Sequence, residues 1–285
     1  MSNEPADPAP TGQAASPKHA GLIEQGDNAI NEGRFADARD IFARALQQQS
    51  AGGPSTEAGD ENTYLLQRLA LSTYKAKEPD EVAALDEAME LLLNRLNLNE
   101  TNDAATVTLA GEIEKRLFDT NQGADHLSLA IRYYWRSYCL SSERDNGMTL
   151  AYLMNVRTDS ILDLRDSEKI ADLVWANRVR REVVEICEEE LEDLDSETGR
   201  EDSASGELPE ERAERLRRER FWCLAAKAEA HVGLGEMRNY ESTFAQMAQL
   251  NPDEPMRHAF EERINGLKEL LESHGHLLDP PWRGR

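Results

Sequence analysis

Between Leu22 and Ala45 the chain spaces its small and bulky residues in one order: Gly26, Ala29, Gly33, Phe35, Ala38, Phe42, Ala45. Small residues at Gly26, Ala29 and Ala38 let two antiparallel helices approach closely. Leu22, Phe42 and Leu46 fill the seam between that pair and the next unit. Gly33 falls in the turn, where a positive φ costs glycine least. A single helix pair cannot bury its apolar face, so the spacing predicts further pairs stacked behind it.

This spacing resembles the tetratricopeptide repeat, and the resemblance implies an all-α fold, an α-solenoid of antiparallel helix pairs. Composition agrees: 39% of the 285 residues are apolar and only 6% aromatic, which suits helices better than sheets. Residues 1–17 are rich in Pro, Ala, Ser and Asp without periodicity and read as a disordered tail. Repeats are expected over 18–194, with a loop from Ser50 to Asp60 after the first. An acidic flexible loop follows at 195–209, then a C-terminal helix pair and capping helix over 210–273, and a tail over 274–285. Within the repeats, Gly111 matches the close-packing position of Gly26, and Ala130 with Tyr134 repeats the spacing of Ala38 with Phe42. Ile170, Val174, Val179, Val183 and Ile186 read as the buried stripe of one long helix. Gly235 reads as a turn glycine, and Asn251-Pro252 as a helix stop, because proline cannot continue a helix.

Three pieces in the middle carry a narrower resemblance. They are Thr108 to Arg116 around Gly111, Leu129 to Tyr134 around Ala130, and Gly147 to Met154. In that order they resemble the TRAFs-binding domain, the tetratricopeptide region of apoptosis signal-regulating MAP kinase kinase kinases and of many bacterial proteins. Glu114 stands where the family has Tyr, and Thr149 where it has Asn. The resemblance implies a signalling or regulatory scaffold. No Gly-rich nucleotide loop and no His-Arg-Asp or Asp-Phe-Gly triplet accompanies these pieces, so kinase activity is not implied.

The search for chemistry yields little. Cys139, Cys187 and Cys223 form no CxxC pair, which suits a reducing, cytoplasmic setting, and Cys187 reads as core. No apolar run approaches the ~20 residues needed to span a bilayer, so no membrane partner is expected. His231, His274 and His276, with Glu229 nearby, are the residues an alternative reading as a metal-dependent or other hydrolase would use. Two imidazoles without a third ligand do not make a metal site. No catalytic residue, metal or cofactor is therefore assigned.

The 55 acidic against 32 basic side chains give a net charge of −23, which disfavours nucleic acid and favours a protein or peptide partner of basic character. The groove of the first repeat would be lined by Ile23, Asp27, Ile30 and Asn31. Asp27 there would repel the carboxylate that some tetratricopeptide grooves clamp. Glu114 is a further candidate contact at its substituted position. Stacked repeats with open ends also allow a homo-oligomer.

Overall fold

The computed structural model describes residues 20–51, 58–161, 163–198 and 209–278, with side chains undescribed at 50, 51, 58–60 and 274–278. Among the described residues there are eleven helices and no strand. In chain order they are α1 (Ala20–Asn31), α2 (Phe35–Ala51), α3 (Ala58–Ala76), α4 (Glu81–Arg95), α5 (Ala104–Asp119) and α6 (Ala124–Ser141). They continue with α7 (Arg144–Ser160), α8 (Asp166–Thr198), α9 (Pro209–Leu234), α10 (Met237–Gln249) and α11 (Glu254–Leu278). Two compact units hold them, α1–α6 in one and α7–α11 in the other. The architecture is all-α, built of tetratricopeptide-like helix pairs.

In the N-terminal unit each odd-numbered helix packs antiparallel to the helix after it. Ala29, Ala38, Phe42 and Ala45 are fully buried, with Leu22 packed at their edge. Gly26 is required by contact. A Cβ there would lie 2.7 and 2.8 Å from Phe42 Cε1 and Cε2, and closer still to Cζ. The same device recurs two helix pairs later, where a Cβ on Gly111 would lie 2.9 Å from Tyr134 Cδ2. Ala130 is fully buried beside it. Gly33 turns the chain at φ 73° while its N–H donates to the Ile30 carbonyl at 2.8 Å. Lys77, at φ 56°, takes the left-handed position in the second turn. Asp80 and Asp103 cap α4 and α5, accepting from the N–H of Ala83 (2.9 Å) and Thr106 (2.7 Å).

In the C-terminal unit α7 pairs with α8 and α9 with α10, while α11 packs on α7, α8 and α9. Gly147 is buried on α7. Gly235 repeats the turn of Gly33 at φ 74°, and Asn251 at φ 47° precedes Pro252, which ends the α9/α10 pair. Arg180, on α8, is 1% exposed and lies against Gly233. A Cβ on that glycine would sit 2.6 Å from the guanidinium Cζ.

Several boundaries differ from those expected. Of the stretch expected as loop from Ser50 to Asp60, α2 takes in the start as far as Ala51 and α3 the end from Ala58, and residues 52–57 lie outside the described residues. Helix α8 runs through Thr198 into the stretch expected to be loop from 195, with Arg215 and Arg212 holding Glu197. Residues 199–208 of that expected loop, and the tail at 1–17, lie outside the described residues. Helix α11 continues past Ser273 to Leu278, where a tail was expected.

The stripe on α8 is also different. Leu173, Ala176, Val179, Val183 and Cys187 are buried, but Ile170 is 42% and Val174 58% exposed. Two rows of apolar residues compete along this helix. The inward row contains Arg180, and that charge hides it from a hydrophobicity pattern.

Candidate partner-binding face

The first helices of the pairs, α1, α3 and α5, form one face of the N-terminal unit, and three of the four groove residues there are half-buried. Ile23, Asp27 and Ile30 are partly covered, and Asn31 is exposed. Asp27 is not a free acid. Tyr64 donates its hydroxyl to Asp27 Oδ2 at 2.7 Å, and Arg68 Nε lies 3.1 Å from Oδ1. Arg68 Nε also donates to the Tyr64 oxygen at 3.0 Å and stacks 5.0 Å from that ring. Burial and the Asp27 carboxylate push the Tyr64 hydroxyl above its ordinary pKa. These groups tie α1 to α3. The local charge is balanced, so the acidic groove expected at Asp27 is instead an internal triad.

Farther along, Tyr74 donates to Glu112 Oε2 at 2.8 Å, and the Thr108 and Ser137 hydroxyls meet at 2.6 Å. Glu114 is 6% exposed, and its Oε2 lies 2.6 Å from His126 Nδ1. It joins α5 to α6 rather than standing on a rim. Helix i, i+4 spacing could not reveal this, because His126 belongs to the next helix.

In the C-terminal unit the corresponding face is covered. Met256, Phe260, Ile264 and Leu267 of α11 are at most 6% exposed. They share a core with Phe221, Leu224, Ala228 and Val232 of α9 and with Tyr152 of α7. Glu229, 4% exposed, pairs with Arg263 of α11 at 2.7 Å. Arg180 donates to two amide oxygens, that of Asn177 at 3.1 Å and that of Asn155, and its Nε has no hydrogen-bond partner among the described residues. Desolvation lowers its pKa to about 10, opposed by Glu229.

The residues of the hydrolase reading are not assembled into a site. His231 is 4% exposed with Nδ1 2.8 Å from Glu236 Oε2. The hydrogen bonds from His231 and Asn239 hold the Glu236 carboxyl below its usual range. The side chains of His274 and His276 lie outside the described residues. Among the described residues no three His, Cys, Asp or Glu side chains converge as a metal would need. Cys187 and Cys223 are buried, Cys223 Sγ donating to the Cys187 carbonyl at 3.3 Å. The hydrogen bond with Cys223 and burial push the Cys187 thiol up, away from the reactive thiolate. No helix among the described residues is long and apolar enough to cross a membrane.

Over residues 34–154 the chain matches a family model described as Tetratricopeptide Repeats-Sensor. It resembles tetratricopeptide-repeat proteins. That match spans less than half of the 285 residues. Among solved structures, the chain is similar to nearly identical TPR-like repeats of a kinesin light chain type from Podosopora anserina. The identity is 13%, the coverage 82% of this chain and 95% of that one, and the TM-score 0.45. No curated protein matches the chain.

Proposed function

We propose that this chain is a non-enzymatic interaction scaffold of the tetratricopeptide type, holding a protein or peptide on the first-helix face of its N-terminal unit. The observation that carries the reading is a contrast between the two units. In the C-terminal unit α11 covers that face, whereas Ile23, Ile30 and Asn31 keep part of their surface open. Half-buried isoleucines beside an exposed amide suit a partner with apolar anchors. Because Asp27 and Glu114 are engaged internally, the net charge of −23 favours Lys or Arg flanks through the long-range field. The resemblance to the TRAFs-binding domain and the word "sensor" in the matched family's description both favour a signalling or regulatory use in the cytoplasm.

A photo-crosslinking residue placed at Asn31 of the full chain tests this. One protein should crosslink in lysate of the native cell, and Ile23→Asp should abolish the crosslink without changing the helical circular dichroism. Capture that survives Ile23→Asp, or a partner crosslinked only from α11, would overturn the proposal.

A further inference from the structure

Helix α8 carries a cation into the interior of the C-terminal unit and leaves part of it without a partner. Arg180 is 1% exposed, and Asn155 on α7 is fully buried. Each has a side-chain donor with no acceptor among the described residues, Nε of Arg180 and Nδ2 of Asn155. The two side chains touch, because Arg180 Nη2 donates to Asn155 Oδ1. Turning that amide over would set its NH2 against the guanidinium, so Nδ2 stays a donor in need of an acceptor. The Nε–H and Nη2 share one edge of a guanidinium, the edge that ordinarily grips an acid with two oxygens. On Arg180 that edge holds a neutral amide at Nη2 alone. Gly233 does not cover it. A Cβ on Gly233 would stand 2.6 Å from Cζ and nearer still to Nε and Cδ, which is above the guanidinium plane and not in line with the Nε–H.

The buried acids of α8 and α9 are already engaged. Glu229 acts on Arg180 through space, but its Oε2 is bound to Arg263 at 2.7 Å, so two cations share one carboxylate. Asp172 is held by Arg157, whose Nε donates to Oδ2 at 2.8 Å. Leaving a buried charge uncompensated is strongly unfavourable. A water can accept from both orphaned donors, yet it leaves that charge unmet. We propose that a single chloride ion lies against this edge of Arg180, accepting from its Nε and from Asn155 Nδ2 and joining α7 to α8. The anion is compact because the donors are few. Phosphate or sulfate would carry four oxygens into the interior to meet two donors, and every unmatched oxygen would be an unsatisfied buried acceptor. A halide is one acceptor atom with one negative charge, which is what Arg180 lacks.

The test uses the full chain, with sodium chloride exchanged for sodium gluconate at constant ionic strength so that screening does not change. The chlorine-35 resonance of chloride should broaden when the chain is added, and bromide should reverse the broadening. The transition that unfolds α7–α9 should rise by about 3–6 °C for each tenfold increase in chloride above its Kd. Asn155→Asp sets a carboxylate where the amide stands. It should meet Arg180 from within the chain, stay folded without chloride and lose both responses. If that variant does not fold, a crystal of the natural chain grown in sodium bromide decides instead. Anomalous scattering should place bromide beside Arg180 Nε and Asn155 Nδ2, and its absence there would overturn the proposal. A melt that is equal in chloride and gluconate, with no broadening, would also overturn it in favour of a buried water. Broadening that survives in folded Asn155→Asp would put the chloride elsewhere on the chain. Phosphate that displaces chloride and raises the melt further would make the site one for an oxyanion, and the halide would be wrong.

Discussion

Replacing Gly26 by alanine sets two effects of opposite sign against each other. Gly26 lies inside α1, where alanine is favoured over glycine by about 1 kcal/mol of helix propensity. The structure reverses that preference, because the new methyl would lie 2.7 and 2.8 Å from Phe42 Cε1 and Cε2. Carbon atoms rest about 3.5–4.0 Å apart, so the ring must move by roughly 1 Å. Phe42 is fully buried among Ala38, Ala45 and Leu65, so its ring can move only by displacing core neighbours. Overpacking of this kind costs about 1–3 kcal/mol. The net expectation is a loss of about 1–2 kcal/mol where propensity alone would give a gain. Urea unfolding followed by far-ultraviolet circular dichroism reads it directly. Phe42→Leu removes the ring edge, so the double variant should lose less than the sum of the two singles. Gly21→Ala is the matched control: it lies in the same helix with nothing within 4 Å, and it should be neutral or slightly stabilising. If Gly26→Ala proves neutral or stabilising, the close α1–α2 approach is wrong.

Asp27→Lys should destabilise by about 1–2 kcal/mol, because it places a cation against Arg68 and strips Tyr64 of its acceptor; a thermal melt checks it. Ile264→Ala, at 3% exposure in the α11 core, should cost about 2–5 kcal/mol and speed amide hydrogen exchange in α11. The Glu236 carboxyl is depressed by the hydrogen bonds from His231 and Asn239, so its contribution is present above the unfolded carboxylate pKa of about 4.3 and lost as pH falls through the lower folded value. The difference in melting temperature between the natural chain and Glu236→Gln should therefore shrink as pH falls from about 6 to about 3. A difference that stays constant across that range would remove Glu236 from the acid response.

The helix pairs were legible in the chain because their determinants are local. A glycine on one helix and an aromatic ring on the next, Gly26 with Phe42 and Gly111 with Tyr134, are joined by one short turn. The 3.6-residue period then dictates which side chains meet. Left-handed turns at Gly33 and Gly235, and the stop at Pro252, follow from backbone sterics alone.

What α8 buries was a tertiary decision. Two rows, Ile170 with Val174 and Leu173 with Val183, fit the same period, and the neighbours α7 and α9 chose the one that carries Arg180. Glu114 reads as a substituted contact until α6 brings His126 to 2.6 Å from it. Asp27 reads as an open acid until α3 supplies Tyr64 and Arg68. Helix α11 reads as an end cap, yet it reaches back to α7, more than a hundred residues earlier in the chain, and covers the C-terminal unit's face. Periodicity specifies which residues share a side of a helix. Which side is buried depends on desolvation and pairing between helices distant in the chain, and those energies exist only once the helices have packed.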